Sequence, residues 1–390
     1  MAMDRTEPFT RADVMTATAL SAPTVGTLTQ SLLQRGLLHD LGAGPSRGGR
    51  RPAFMEFNAR HGFVAGISMG ATRTHVAVAD LRGERLAHQV LSTPAGIGPE
   101  PLLDRLAGAT RSVLKEAGVR RDRLLAAVAG VPGAVDRERG IVLALAPNLR
   151  GWSDVPVAAI LGRALGAPVT VENDVNLAIL AERWRGAARG HETCAFIHGG
   201  SGIGAGIVVD GHLHRGDHSL AGEIGLMCMG LEHLDKDYGA KGCLETLAGL
   251  KGAAGRWPDA RGGLREGWVA ALFEAAAAGD AKARAAIDQT AGLLGIGVAN
   301  LTLVIDPSLV VLGGALFEQG GDFVSEVRRV VARVVPSPPE IVVSALGSEA
   351  SLWGCLLVAT NDARARLRNS LGDASEAQGR RLRMTTGATA

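Results

Sequence analysis

The chain has 390 residues, of which 46% are hydrophobic and 21% are charged, an ordinary balance for a globular protein of two or three domains. Its formal net charge of +2 is too small to indicate nucleic-acid binding by the chain as a whole. The four cysteines are widely spaced and suggest no disulfide framework. No uninterrupted run of about 18 apolar residues occurs, so the sequence favours a cytoplasmic protein over a secreted or membrane protein.

Residues 1–57 predict two short helices followed by a two-stranded hairpin. Thr10 and Ser21 stand where N-caps of the two helices belong, and Gly36 is a stop signal for the second helix. The predicted hairpin has a tip rich in Gly, Ser and Arg between residues 42 and 51. Two helices across a tight turn, followed by such a hairpin, are typical of a winged helix-turn-helix, which binds DNA.

In that interpretation the second helix presents side chains to the major groove, and the basic tip contacts phosphate or a minor groove. The predicted DNA contacts are Thr24, Thr27, Gln30, Arg47, Arg50 and Arg51. The alternatives are a small helical protein–protein module, or a basic loop that is simply solvated.

The remainder predicts an α/β architecture in two lobes, with a cleft between them, over residues 61–370. Strands over 63–68, 74–80 and 85–90 precede a helix from Pro99. Strands, including one near 206–209, then alternate with helices to about residue 368. Residues 371–390 lack apolar periodicity, so the sequence predicts a mobile tail there.

Polar side chains follow a short β-branched strand and recur in two later segments. Asn173 and Asp174 end the strand that begins at Val169, whereas Glu223 and Glu245 lie in Gly-Glu-Ile-Gly and Gly-Cys-Leu-Glu. Asp174 could accept a proton from a hydroxyl as a general base, with the others serving as hydroxyl partners. The alternative is that Asp174 caps a helix and the glutamates are solvated.

Glycine-rich turns that direct backbone N–H groups at phosphates occur after several strands. The better candidate is the loop of residues 199–206, between two apolar strands, although such a run is more often just a tight turn. The candidate phosphate contacts are Gly70, Thr72, Gly200, Ser201, Gly202, Gly204, Gly313 and Gly314.

Taken together, these motifs resemble the ROK family of repressors, open reading frames and sugar kinases, from about residue 10 to about residue 360. The resemblance implies an actin-like, ribonuclease H-like sugar-kinase fold behind the winged helix-turn-helix. It also implies sugar contacts at Asn148, Asn173, Asp174, Glu223 and Glu245, with Asp174 as the base in a kinase. Family regulators usually have a further helix before the position of Thr10, for which only Met1 to Phe9 remain here.

Two departures from the family pattern bear on cofactors. Ser68 stands where family kinases carry the aspartate that holds magnesium, and a neutral hydroxyl cannot replace a carboxylate as a ligand of that ion. Leu226, Lys236, Tyr238 and Cys243 stand where the family ligates zinc, and one thiolate cannot hold a structural zinc. The expectation is therefore no resident cofactor, with Leu226 and Tyr238 filling the former zinc region by apolar packing.

The sequence thus predicts a sugar-responsive transcriptional regulator that binds operator DNA and a sugar or sugar derivative as a homodimer or tetramer. Repression relieved by ligand is the commoner arrangement, with activation left open. One alternative is an ATP- and magnesium-dependent sugar kinase with an appended helical module. Another is a sugar-binding or scaffold protein that does not bind DNA.

Overall fold

The computed structural model describes residues 3, 7–43, 52–94, 96–144, 151–258, 267–318 and 321–386, with side chains as far as residue 371. The N-terminal part is a helix pair beside a small antiparallel sheet of order β1-β3-β2. Its elements are β1 (Phe9–Thr10), α1 (Arg11–Thr18), α2 (Ala22–Gln34), β2 (Leu38–Ala43) and β3 (Ala53–Phe57). Thr10 and Asp13 form a capping box, and Ser21 caps α2, as the sequence predicts.

The first large sheet has the order β10-β7-β4-β5-β6. Its strands are β4 (Phe63–Met69), β5 (Arg73–Asp80), β6 (Arg85–Ser92), β7 (Leu124–Val131) and β10 (Val169–Asn173), with β8 (Ala134–Asp136) and β9 (Ile141–Ala144) forming a separate hairpin. The helices in this part are α3 (Pro99–Glu116), α4 (Val157–Leu165) and α5 (Asp174–Arg185). Strands β4 to β6 are antiparallel, whereas β7 pairs in parallel with β4, and β10 in parallel with β7.

The second large sheet repeats this topology, in the order β13-β12-β11-β14-β15. Its strands are β11 (Cys194–Gly199), β12 (Ile203–Val209), β13 (His212–His214), β14 (Leu309–Gly313) and β15 (Glu340–Val343). The helices are α6 (Gly242–Ala248), α7 (Leu250–Arg256), α8 (Trp268–Ala277), α9 (Ala281–Ile305), α10 (Gly321–Val334) and α11 (Ala350–Thr386). Three antiparallel strands followed by two parallel ones thus occur twice, which confirms the predicted α/β alternation.

One buried cluster joins the N-terminal part to the first large sheet. Leu37 and Phe57 lie in the same apolar cluster as Val64 of β4, Leu177 of α5 and Leu356 of α11. Helix α11 therefore packs against the sheet and α5 in the same cluster that contains Leu37 and Phe57.

Two features differ from the expectations. The backbone beyond residue 370, predicted as a tail, is helical as far as Thr386. Strand β12 begins at Ile203, not near Gly206, because Ile203, Ala205 and Ile207 alternate onto a buried face.

Among the described residues, α9 is long and apolar enough to cross a membrane by length and composition, but more than half of its apolar window is buried, as in a core helix.

Candidate functional site

The junction of β10 and α5 places Asn173 and Asp174. Asn173 is the N-cap of α5, and its Oδ1 accepts hydrogen bonds from the backbone N–H groups of Val175 (2.9 Å) and Asn176 (3.0 Å). Its Nδ2 donates to the carbonyl of Gly133 at 3.1 Å. Asn173 therefore performs the capping considered for Asp174, and most of its amide is engaged within the protein instead of being free for a ligand.

Asp174 is the first residue of α5 and is partly buried. Its Oδ1 accepts a hydrogen bond from the Val175 N–H at 2.9 Å. The helix N-terminus favours a negative charge at this position. Burial acts in the opposite direction and raises the pKa of Asp174 to about 7, with a further contribution from the charge of Glu223.

Glu172 anchors this junction from the strand side, a role that the sequence reasoning missed. Its carboxylate is buried, and Oε2 accepts from Arg215 Nε at 2.9 Å and from a terminal guanidinium nitrogen at 2.7 Å. Oε1 accepts from Asn176 Nδ2 at 3.1 Å and from the Asn173 N–H at 3.0 Å. A charged residue inside an apolar β-branched strand is the signal that could have indicated a buried partner.

Glu223 and Glu245 come from segments that pack beside the second large sheet. Gly222, at φ +90°, lies so close to Ala205 that a Cβ would stand 1.9 Å from the Ala205 carbonyl oxygen. Gly242, at φ +74°, would place a Cβ 2.4 Å from the Leu226 Cα. These two glycines allow the backbone to approach closely, and so set Glu223 beside β12 and Glu245 on α6.

The three carboxylates are electrostatically linked. Burial raises the pKa of Glu223 to about 7, and the charge of Glu245 raises it further. Burial also raises the pKa of Glu245. Three groups oppose this and lower the pKa: the backbone N–H of Ile203, which donates to Oε2 at 3.0 Å, and the charges of Lys241 and Lys251. Glu245 Oε1 is buried and has no hydrogen-bond partner among the described residues.

This arrangement can accept hydrogen bonds from several hydroxyl groups and can take up a proton near neutral pH. Glu245 is buried, so the alternative in which both glutamates are solvated is wrong for this residue. Asn148, predicted for the same site, lies outside the described residues.

The glycine-rich turns after β11 and β14 meet around His198, another residue that the sequence reasoning did not single out. A Cβ on Gly200 would stand 2.8 Å from His198 Nε2, and one on Gly314 would stand 2.8 Å from the same ring. Burial lowers the pKa of His198 to about 4, so the imidazole is neutral at pH 7. Gly204 is paired with His198 inside β12 and so does not belong to the turn, contrary to the interpretation of residues 199–206 as one loop.

The first candidate phosphate turn follows β4. Ser68 is buried within the strand, opposite His75. The Gly70 N–H donates to the Arg73 carbonyl at 3.0 Å, and Thr72 is exposed. The turn is therefore closed by its own backbone, with no carboxylate at the position of Ser68.

The segment that corresponds to the family's zinc loop differs from the predicted apolar packing. Leu226 is 40% exposed, although a Cβ on Gly242 would lie close to both its Cα (2.4 Å) and its Cδ2 (2.8 Å). The hydroxyl of Tyr238 instead forms a hydrogen bond with His233 Nδ1. Cys228 and Cys243 are free thiols, the first exposed and the second buried.

The predicted DNA contacts on α2 share its exposed side. Thr24, Thr27 and Gln30 are exposed, whereas Val25 and Thr29 face the interior. Arg11 Nε donates to Thr29 Oγ1 at 2.9 Å and so fixes α1 against α2. Arg47, Arg50 and Arg51 lie outside the described residues.

In a comparison with known protein families, residues 64–362 match the ROK family. The chain belongs to the ROK family. It is 30% identical over 358 residues to the xylose repressor of Caldicellulosiruptor bescii, covering 88% of this chain and 89% of that protein. It is 26% identical over 354 residues to the xylose repressor of Bacillus subtilis, covering 90% of each.

Solved ROK structures show the same α/β sugar-kinase-like fold. A ROK hexokinase from Thermus thermophilus has a TM-score of 0.65 at 33% identity, covering 78% of this chain and 99% of that chain. A ROK transcriptional regulator, a homologue of the E. coli MLC protein, has a TM-score of 0.74 at 24% identity, covering 93% of this chain and 94% of its own. The regulator thus shares the fold along nearly the whole chain.

Proposed function

We propose that this ROK protein is a sugar-responsive transcriptional repressor that binds operator DNA through residues 10–57 and a sugar at the three carboxylates. The observation that carries the proposal is a single buried cluster. Leu37 and Phe57 of the N-terminal part share it with Leu177 of α5, the helix that begins at Asp174. The likeness to xylose repressors over 88% and 90% of the chain supports the same assignment.

The N-terminal part acts, in this proposal, as a winged helix-turn-helix. Helix α2 has its buried residues on one side and Thr24, Thr27 and Gln30 on the exposed side, which suits a recognition helix in the major groove. Arg47, Arg50 and Arg51, in the segment between β2 and β3, are proposed to contact phosphate or the minor groove.

In this proposal the hydroxyl groups of the sugar contact Asp174, Glu223 and Glu245. The one amide N–H of Asn173 that does not donate to Gly133, together with Asn148, completes the contacts. The unpaired Glu245 Oε1 supports this placement, because a buried acceptor without a partner is costly unless a ligand supplies a donor. Xylose is the first sugar to test, because two relatives are xylose repressors.

The decisive experiment recovers DNA fragments from the protein's own genome at moderate salt, with and without a panel of sugars and sugar phosphates. We expect enrichment of a few upstream regions, lost in the presence of one sugar. Absence of enrichment at every salt concentration would contradict DNA binding and leave the sugar-binding or scaffold alternative.

A matched pair of glutamine variants tests the DNA-binding surface. Gln30→Ala, on the exposed side of α2, is expected to weaken binding to the recovered fragment by about 1–3 kcal/mol if it reads a base. Gln89→Ala, on an exposed position of β6, is expected to leave the affinity unchanged. Equal effects of the two changes would contradict the assignment of α2.

A sugar kinase is the second candidate. It is favoured by the pKa of Asp174 near 7, which suits a general base, and by the 33% identity to a ROK hexokinase. Ser68 opposes it, because magnesium would lack a carboxylate ligand. ATP-dependent sugar phosphorylation that is abolished by Asp174→Asn would support the kinase.

A further inference from the structure

Two histidines of the first large sheet meet a glutamate at the start of α11. His75 of β5 pairs with Val90 of β6, so His88, two residues from Val90, lies diagonally across on the same face. Glu349 belongs to a short 3-10 turn that leads directly into α11. All three residues are partly buried.

These side chains are close enough to bind one metal ion after small rotations. His75 Nδ1 lies 3.3 Å from His88 Nε2. Glu349 Oε1 lies 3.7 Å from the other ring nitrogen of His88, Nδ1, so His88 would use only one of its two nitrogens as a ligand. One ligand atom from each residue lies within 4.8 Å of the others. Ligand atoms around a tetrahedral zinc are about 3.3 Å apart, because Zn–N bonds are about 2.0–2.1 Å long.

The chemistry of the three groups also suits a cation. Burial lowers the pKa of both His75 and His88, and neutral imidazoles have free lone pairs. Glu349 is oriented by Arg85, which donates to Oε2 at 2.8 Å and leaves Oε1 towards His88. The positive charges of Arg85 and Arg73 also lower the pKa of His75, which favours the neutral imidazole.

We propose that His75, His88 and Glu349 bind one divalent transition-metal cation of the zinc class, with the remaining coordination position open to water. This site is separate from the sugar site and from the loop around Cys228. It would join the hairpin of β5 and β6 to the start of α11, whose core residues include Leu356, packed in the cluster with Leu37 and Phe57. Metal binding would therefore stabilise the folded protein by mass action.

Cobalt(II) alone, added to the full-length metal-free protein, is the probe. We expect one equivalent to bind with visible d–d absorption, to be displaced by zinc, and to raise the midpoint of thermal unfolding. His75→Asn and Glu349→Gln should each reduce the affinity for cobalt by more than about tenfold, since losing even an outer partner of a ligand costs that much.

The matched control is the double variant His212→Asn, His214→Asn, which removes two exposed histidines on β13. It is expected to bind cobalt like the parent protein. If His75→Asn does not fold, Glu349→Gln decides alone, because glutamine can still accept the hydrogen bond from Arg85. Unchanged affinity in the folded cluster variants, loss of binding in the control, a thiolate charge-transfer band, or no binding by the parent protein would each overturn the proposal.

Discussion

At the scale of single residues, the site depends on carboxylates that the fold partly desolvates. Glu245 has one oxygen on the Ile203 N–H and the other unpaired among the described residues. Asp174 and Glu223 both have pKa values raised to about 7. Such groups are poised to exchange protons or to accept hydroxyl groups of a ligand.

Glu245→Gln is expected to reduce the affinity for the sugar identified by the genomic selection by about tenfold to 100-fold. A hydrogen bond to a charged group contributes about 1.5–3 kcal/mol, and the variant removes the charge while retaining the shape. Isothermal titration calorimetry measures the change. Glu116→Gln, at an exposed position of α3, is the control, and equal affinities of the two variants would contradict the assignment.

Stability should fall with rising pH through the titration of Asp174. Its pKa is about 7 in the folded protein and 3.8 as a model value, so the folded state binds more protons between these limits. The contribution is therefore present below the unfolded pKa and is lost as pH rises through the folded pKa. Relative to Asp174→Asn, the parent protein should lose thermal stability between about pH 5 and about pH 8.

His198 has the opposite dependence, because its pKa is lowered to about 4 and the unfolded state binds the extra proton. It is present in both proteins, so its effect cancels from the comparison. If the melting temperatures of the parent protein and of Asp174→Asn change in parallel across this pH range, the pKa of Asp174 is not raised by folding.

At the scale of elements, the junction between β10 and α5 is held by the ion pair of Glu172 and Arg215. Glu172 is only 3% exposed, and it also accepts hydrogen bonds from Asn173 and Asn176. The strand end, the cap and the first turn of α5 therefore have one common anchor, which fixes the direction of Asp174.

Arg215→Met is expected to destabilise the protein by up to about 3 kcal/mol, because it removes the nearer cation of a buried carboxylate and leaves only Arg137, at 4.0 Å. The value is at the lower end for such pairs, since the Arg215 side chain is 32% exposed. Urea unfolding measures it. Arg120→Met breaks the exposed pair with Asp122 and should leave stability nearly unchanged, so a similar loss in both variants would contradict the role of Glu172.

The contact between the hairpin and α11 gives a second prediction at this scale. Phe57→Ala should cost about 3–5 kcal/mol and leave a single unfolding transition, because Phe57 is buried in a cluster common to both parts. Leu28→Ala, at a residue 49% exposed on α2, should change stability by less than about 0.5 kcal/mol. Two separate transitions in the parent protein would contradict a common core.

At the scale of the whole molecule, a continuous packed route leads from the carboxylates to the helix pair. Helix α5 begins at Asp174, its Leu177 packs with Leu356 of α11, and the same cluster contains Leu37 and Phe57. In the proposed function these packed residues have two arrangements, which place the DNA-binding elements differently. A sugar shifts the equilibrium between them only by the difference between its affinities for the two.

Sugar and operator affinities should be reciprocally coupled. If saturating sugar lowers operator affinity by a factor in the range of about 5 to 150, operator DNA should lower sugar affinity by the same factor. Fluorescence anisotropy and calorimetry measure the two factors. Phe57→Ala should reduce the coupling at temperatures where the variant remains folded, whereas unequal factors in the parent protein would exclude equilibrium coupling between the two sites.

The sequence by itself determined the α/β alternation and the caps at Thr10 and Ser21, because these depend on local periodicity and on side chains near their own backbone. Only the tertiary structure decided that Asn173 caps α5, that Glu172 pairs with Arg215 and that His198 lies between two glycine turns. It also brought Asp174, Glu223 and Glu245 together and assembled His75, His88 and Glu349. Apart from the Asn173 cap, which is local and competes with capping by its neighbour Asp174, those contacts join separate segments of the chain. Their desolvation is set by packing that no local pattern specifies.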